Sequence, residues 1–89
     1  MRQCVKIYMV MHMKAEYRER YIKIGLKVSY YRKLKSMTQE QLAEKMNCDI
    51  SFIGQIEAPN IYKAISMDTL FRIADALEID AYKLLKEED

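Results

Sequence analysis

Residues 38–58 read TQEQLAEKMNCDISFIGQIEA, and this stretch decides the fold. Thr38 followed three positions later by Gln41 is a capping box, which marks a helix start. After it, Leu42, Ala43 and Met46 share one side at helical spacing. Asn47 tolerates the left-handed conformation and is placed to end this helix. Asp49 is placed to cap a second helix from Ile50, with Ile53 and Ile56 facing inward. Pro59 stops it, and NIYKAI (60–65) is a loop. Only about three residues separate the two helices, so they must cross steeply, and the small Ala43 lets their backbones approach.

Working outward, Ser66 is placed to cap MDTLFRIADAL, whose inward residues are Leu70, Ile73, Ala74 and Leu77. Asp80 is placed to cap a last short helix, AYKLLK. Upstream, Ala15, Tyr17, Tyr21, Ile24, Val28 and Tyr31 recur at helical spacing and predict a helix over 15–35. Residues 1–13, MRQCVKIYMVMHM, read differently. Val5, Ile7, Met9, Met11 and Met13 alternate with Cys4, Lys6, Tyr8, Val10 and His12, which predicts a strand with one apolar face. A lone strand leaves its backbone groups unpaired, and pairing with the same strand of a second copy about a two-fold axis would satisfy them. A helical extension of the first helix is a second reading of this segment, and a true start at Met9, Met11 or Met13 is a third. The expected architecture is all-α: five short helices in a domain spanning 14–89, preceded by an extension, 1–13, that serves as a dimerising strand.

Composition narrows the function classes. At 89 residues and 10.6 kDa the chain has material for one domain. Hydrophobic residues at 51% and charged residues at 31% exclude an intrinsically disordered chain. Two cysteines, Cys4 and Cys48, are too few for a disulfide framework or a four-ligand zinc site. No apolar run reaches the ~18–20 residues of a membrane span. The run after Arg2 and Lys6 is short and lacks a small-residue cleavage site, so it is a poor signal peptide. The expectation is a soluble, reduced, cytoplasmic protein without a membrane partner. Charge is unevenly spread: residues 1–35 carry a net +8 and residues 36–89 a net −6. The molecule is dipolar, so any contact with a polyanion must be local.

Two short helices crossing steeply after a tight turn have the geometry of a helix-turn-helix. In that arrangement the first helix braces against the phosphate backbone and the second enters the major groove. TQEQLAEKM-NCD-ISFIGQIE followed by ISMDTLFRIADALEIDAYKLL resembles the phage repressor/Cro-like helix-turn-helix (XRE) family over about residues 22–85. The resemblance implies a DNA-binding transcriptional regulator, often dimeric, that reads operator half-sites on double-stranded DNA. It implies base contacts from Ile50, Ser51 and Gln55. It implies phosphate contacts from the cap Thr38, from Gln39, and from Asn60 and Lys63 in the following loop. It further implies that Arg32 and Glu57 form an ion pair linking the first and third helices. The chain departs from the family pattern at four places. Asn47 replaces the usual turn glycine, Asp49 stands where Ser or Thr is frequent, and Ala58-Pro59 replaces the usual Arg-Gly. The outward face of the third helix also has no Lys or Arg, so the common arginine–guanine contact is unavailable.

Each residue also has a plainer reading. Gln55 could pair with adenine or simply be solvated. Ile50 could touch a thymine methyl or complete a small apolar patch with Phe52. The basic residues of helix 1 (Lys23, Lys27, Arg32, Lys33 and Lys35) form a solvated face or steer toward DNA. His12 has no second ligand or neighbouring acid, and Cys48 reads as an apolar filler, so no metal or cofactor is expected. No nucleophile–base pair, glycine-rich phosphate loop or paired-carboxylate site is present, so an enzyme is not expected. The alternative function is a protein-interaction module or antitoxin on the same scaffold, with the neutral third helix docking a protein partner.

Overall fold

The computed structural model describes residues 2–86, with side chains from Tyr17 onward. The chain forms α1 (Arg2–Leu34), α2 (Gln39–Met46), α3 (Ile50–Glu57), α4 (Met67–Leu77) and α5 (Tyr82–Leu85). No strand occurs among the described residues. The strand reading of 1–13 is therefore corrected: residues 2–13 are the first turns of α1, which runs through residue 14 without a break. The alternation misled because the second face, with Cys4, Tyr8 and Val10, is itself largely apolar, so period two was weakly defined. A helix also pairs backbone donors and acceptors inside the segment, which a strand without a neighbour cannot do. The apolar stripe from Val5 to Met13 and the His12 side chain lie outside the described side chains. Nor are all five helices short, since α1 has 33 residues. At about 1.5 Å per residue it accounts for the molecule's 51 Å long axis.

The remaining helices start and stop where the sequence places caps. Thr38 Oγ1 accepts from the Gln41 N–H at 3.0 Å, and Gln41 Oε1 accepts from the Thr38 N–H at 2.8 Å, closing the capping box. Asn47 adopts φ 54° and ends α2. Asp49 Oδ1 accepts from the Ser51 N–H and starts α3, and Ser66 Oγ accepts from the Thr69 N–H and starts α4. Asp80 does not cap the last helix. Its carbonyl accepts from Lys83 N, the N-cap position falls on Ala81 without a side-chain bond, and the helix is a single turn.

The core joins one stripe from every helix: Val28, Leu42, Ala43, Met46, Ile53, Ile56, Leu70, Ile73, Ala74, Leu77 and Leu84 are all buried. α1 lies against α3, α4 and α5, while α2 lies against α3 and α4. One contact in this arrangement has no signature in hydrophobic patterning. A Cβ at Gly25 would stand 1.8 Å from the Ile56 carbonyl oxygen, so α1 and α3 meet backbone to backbone and only glycine fits between them. α2 is tied to α4 by two cations. The Arg72 guanidinium donates to the Met46 carbonyl, and Lys45 Nζ reaches the Ala76 carbonyl at 3.4 Å and the Glu78 carboxylate at 3.7 Å.

Candidate nucleic-acid interface

α3 is held from behind and bare in front. Behind it, Ile53 and Ile56 enter the core, and Glu57 is 7% exposed. Arg32, also 7% exposed, grips that carboxylate with two bonds: Nε to Oε2 at 2.7 Å and Nη2 to Oε1 at 2.9 Å. Its Nη1 donates to the Met37 carbonyl at 2.7 Å, fixing the segment that leads into α2. The Glu57 hydrogen bond holds the Arg32 guanidinium above its ordinary pKa range, and the opposing effect of burial does not outweigh it. The cation therefore persists wherever the fold does. Among the described residues no buried side-chain polar atom lacks a partner, so this buried pair is fully satisfied.

Gln39 joins the same network, because its Nε2 donates to Glu57 Oε1 at 3.0 Å. The bond clamps the first turn of α2 onto the last turn of α3. One amide N–H and the amide oxygen of Gln39 remain for an outside partner, next to the unpaired backbone N–H groups of the helix start. Thr38 uses its hydroxyl oxygen as an acceptor in the cap, which leaves the hydroxyl proton free to donate outward.

Lys63 is steered by α3 from the other side. Its Nζ lies 5.5 Å from the centroid of the Phe52 ring, a cation–π contact that presents the ammonium beside the helix. Phe52 does not form an outward apolar patch with Ile50. It is half-buried against the core and supports Lys63 instead. Tyr62 stacks at a tilt on Tyr21 of α1, with 5.8 Å between centroids, and anchors the loop that carries Asn60 and Lys63. Asn60 is exposed within that loop.

In front, Ile50, Ser51 and Gln55 are exposed and Gly54 lies among them. Ile50 keeps 47% of its surface bare. A Cβ at Gly54 would meet nothing within 4 Å, so the middle of this face is flat backbone. The Arg32–Met37, Gln39–Glu57 and Lys63–Phe52 contacts, and the glycines at 25 and 54, were not readable from spacing. They depend on how helices distant in sequence cross.

The family model described as helix-turn-helix matches residues 24–84, well over half of the chain. This chain belongs to the XRE-type helix-turn-helix family. Three solved structures share the fold of this family member. The restriction-modification controller protein C.AhdI from Aeromonas hydrophila is 28% identical, with a TM-score of 0.66 over 72% of this chain and 94% of that one. A point mutant of the restriction-modification controller protein C.Esp1396I is 31% identical, with a TM-score of 0.65 over 73% of this chain and 88% of that one. A hypothetical transcription factor, NHTF, from Neisseria is 24% identical with a TM-score of 0.69 and covers 75% of each chain, which speaks for the fold alone. No curated protein matches the chain. No helix among the described residues is long and apolar enough to cross a membrane.

Proposed function

We propose that this helix-turn-helix protein is a sequence-specific, DNA-binding transcriptional regulator that places α3 in the major groove. The observation that carries the reading is the exposed face of α3, braced from behind by Arg32, Glu57 and Gln39 at a fixed angle to α2. A face used for reading base edges needs that rigidity, because a tilt of the helix moves every contact at once. In this reading Ile50, Ser51 and Gln55 address bases, and Thr38, Gln39, Asn60 and Lys63 address phosphates. The likeness to two restriction-modification controller proteins supports a regulator rather than an enzyme.

The protein acts as a homodimer on a two-fold site. Leu26, Tyr30 and Leu34, four residues apart on α1, are exposed large apolar side chains, as are Tyr82 and Leu85 of α5. Such apolar surface supports association of two copies. Band-shift selection from random duplex DNA at low salt, together with a solution mass of twice 10.6 kDa, tests both parts. Folded protein that retards no duplex would turn the reading to the protein-interaction alternative. The net −6 of residues 36–89 and the neutral face of α3 are what favour that second reading.

A further inference from the structure

The outward face of α3 has a narrow chemical vocabulary. From Ile50 to Ala58 the one ionisable side chain is Glu57, and it is buried under Arg32 and Gln39. Guanine shows the major groove two acceptors and is best matched by a two-donor cation. No such cation stands on this face. Cytosine shows a donor and is matched by a carboxylate. Glu57 is buried in its ion pair, and Asp49 stands at the N-cap ahead of this face, with one carboxylate oxygen accepting from the Ser51 N–H. Adenine shows an acceptor beside a donor, which a glutamine amide matches with two bonds, and Gln55 offers that amide unobstructed. Thymine adds a methyl group, the apolar feature of the groove, and Ile50 offers a large apolar side chain that is 47% exposed in the first turn.

Gly54 bears on the depth at which the helix can sit. It stands next to Gln55 and one turn after Ile50, and a Cβ there would touch nothing in the protein. Internal packing therefore does not call for glycine at this position, and glycine weakens a helix interior. What its absence of a side chain provides is clearance: the backbone of α3 can approach the base edges until Ile50 and Gln55, on either side, reach them.

We propose, resting on the DNA-binding reading, that α3 reads A·T base pairs, with Ile50 packed on a thymine 5-methyl group and Gln55 bonded to an adenine edge. The class of DNA is then a half-site with A·T pairs opposite Ile50 and Gln55, while Ser51, whose hydroxyl can donate or accept, leaves its own position open.

The test uses the full chain. Sites are selected from random duplex DNA by the wild type, Ile50→Ala and Gln55→Ala, with folding of each checked by circular dichroism. A·T pairs should dominate at the positions where each variant loses its preference. Deoxyuridine is then substituted for thymine at the Ile50-dependent position, which removes only the methyl group. Wild-type binding should weaken about four-fold, the value of one buried methyl-sized group, and Ile50→Ala should bind both duplexes equally. Selected G·C pairs at those positions, or equal binding of thymine and deoxyuridine duplexes by the wild type, would overturn the proposal and leave DNA binding intact. So would an Ile50→Ala protein that still prefers thymine. Failure of the folded wild type to select any duplex would remove the DNA-binding reading itself, and this proposal with it.

Discussion

The two glycines allow one substitution to be made in two opposite settings. Both lie in helices with ordinary negative φ, so Gly→Ala brings the same intrinsic gain of about 1 kcal/mol at either place. At Gly54 nothing lies within 4 Å of the new methyl, so the gain is realised. At Gly25 the methyl carbon would stand 1.8 Å from the Ile56 carbonyl oxygen, and real Cβ contacts essentially never fall below 3.0 Å. α1 and α3 must therefore separate by about 1.2 Å, the difference between those distances. The obstacle is backbone and cannot rotate aside. Separation also loosens Val28, Ile53 and Ile56, all buried around this crossing. Overpacking of this kind costs roughly 3 kcal/mol, at the upper end of its usual range. Gly25→Ala should lose about 2 kcal/mol net, and Gly54→Ala should gain about 1 kcal/mol. For a domain of this size that means Tm lower by about 8–16 °C in the first and higher by about 4–8 °C in the second. Urea and thermal unfolding followed by far-ultraviolet circular dichroism measure both. A Gly25→Ala protein as stable as Gly54→Ala would refute the backbone contact between α1 and α3.

Three further outcomes are expected. Arg32→Ala or Glu57→Ala alone should each cost about 3–5 kcal/mol by stranding a buried partner, and the double variant should lose much less than the sum; additivity within about 0.5 kcal/mol in urea unfolding would show that the pair is not coupled. Glu78 holds φ 57° at the end of α4, so Glu78→Gly should stabilise by about 0.5–1 kcal/mol, because its ion pair with Lys45 is exposed and contributes little; an unchanged or lower Tm would count against this account of the helix end. The four residues proposed to meet phosphates include one cation, Lys63, so the slope of log K against log salt should be near −1 per subunit, and a slope steeper than about −3 would place other cations on the DNA.

Much of the fold is written locally. The capping box at Thr38, the αL residue Asn47 and the caps Asp49 and Ser66 each act within a few residues, so the sequence locates α2, α3 and α4 almost to the residue. The buried stripes of these helices follow from the 3.6-residue period in the same way. What was not legible depends on partners or on weak alternation. Residues 2–13 carry apolar side chains on both faces of the period-two pattern, Cys4, Tyr8 and Val10 opposite Val5, Ile7 and Met9, so alternation is a weak signal there, and the absence of a pairing strand favours helix. Asp80 has the chemistry of a cap, but the turn after α4 brings its carbonyl, not its carboxylate, to the next helix. In the candidate interface, Arg32 and Glu57 could be named together through the family resemblance. The recruitment of Gln39 to Glu57 and the support of Lys63 by Phe52 required the crossing angles of α1, α2 and α3. Gly54 has no sequence signal separate from any other helical glycine; its meaning lies in the empty space around it.

The central claim is that α3 reads DNA, and Gln55 tests it most directly. Binding of wild type and Gln55→Ala is measured against duplexes carrying each of the four base pairs at every position of the selected site. The account predicts a loss of about 1–3 kcal/mol of discrimination at one base pair and unchanged preferences elsewhere. A uniform loss across all positions, or no change at any of them, would contradict it.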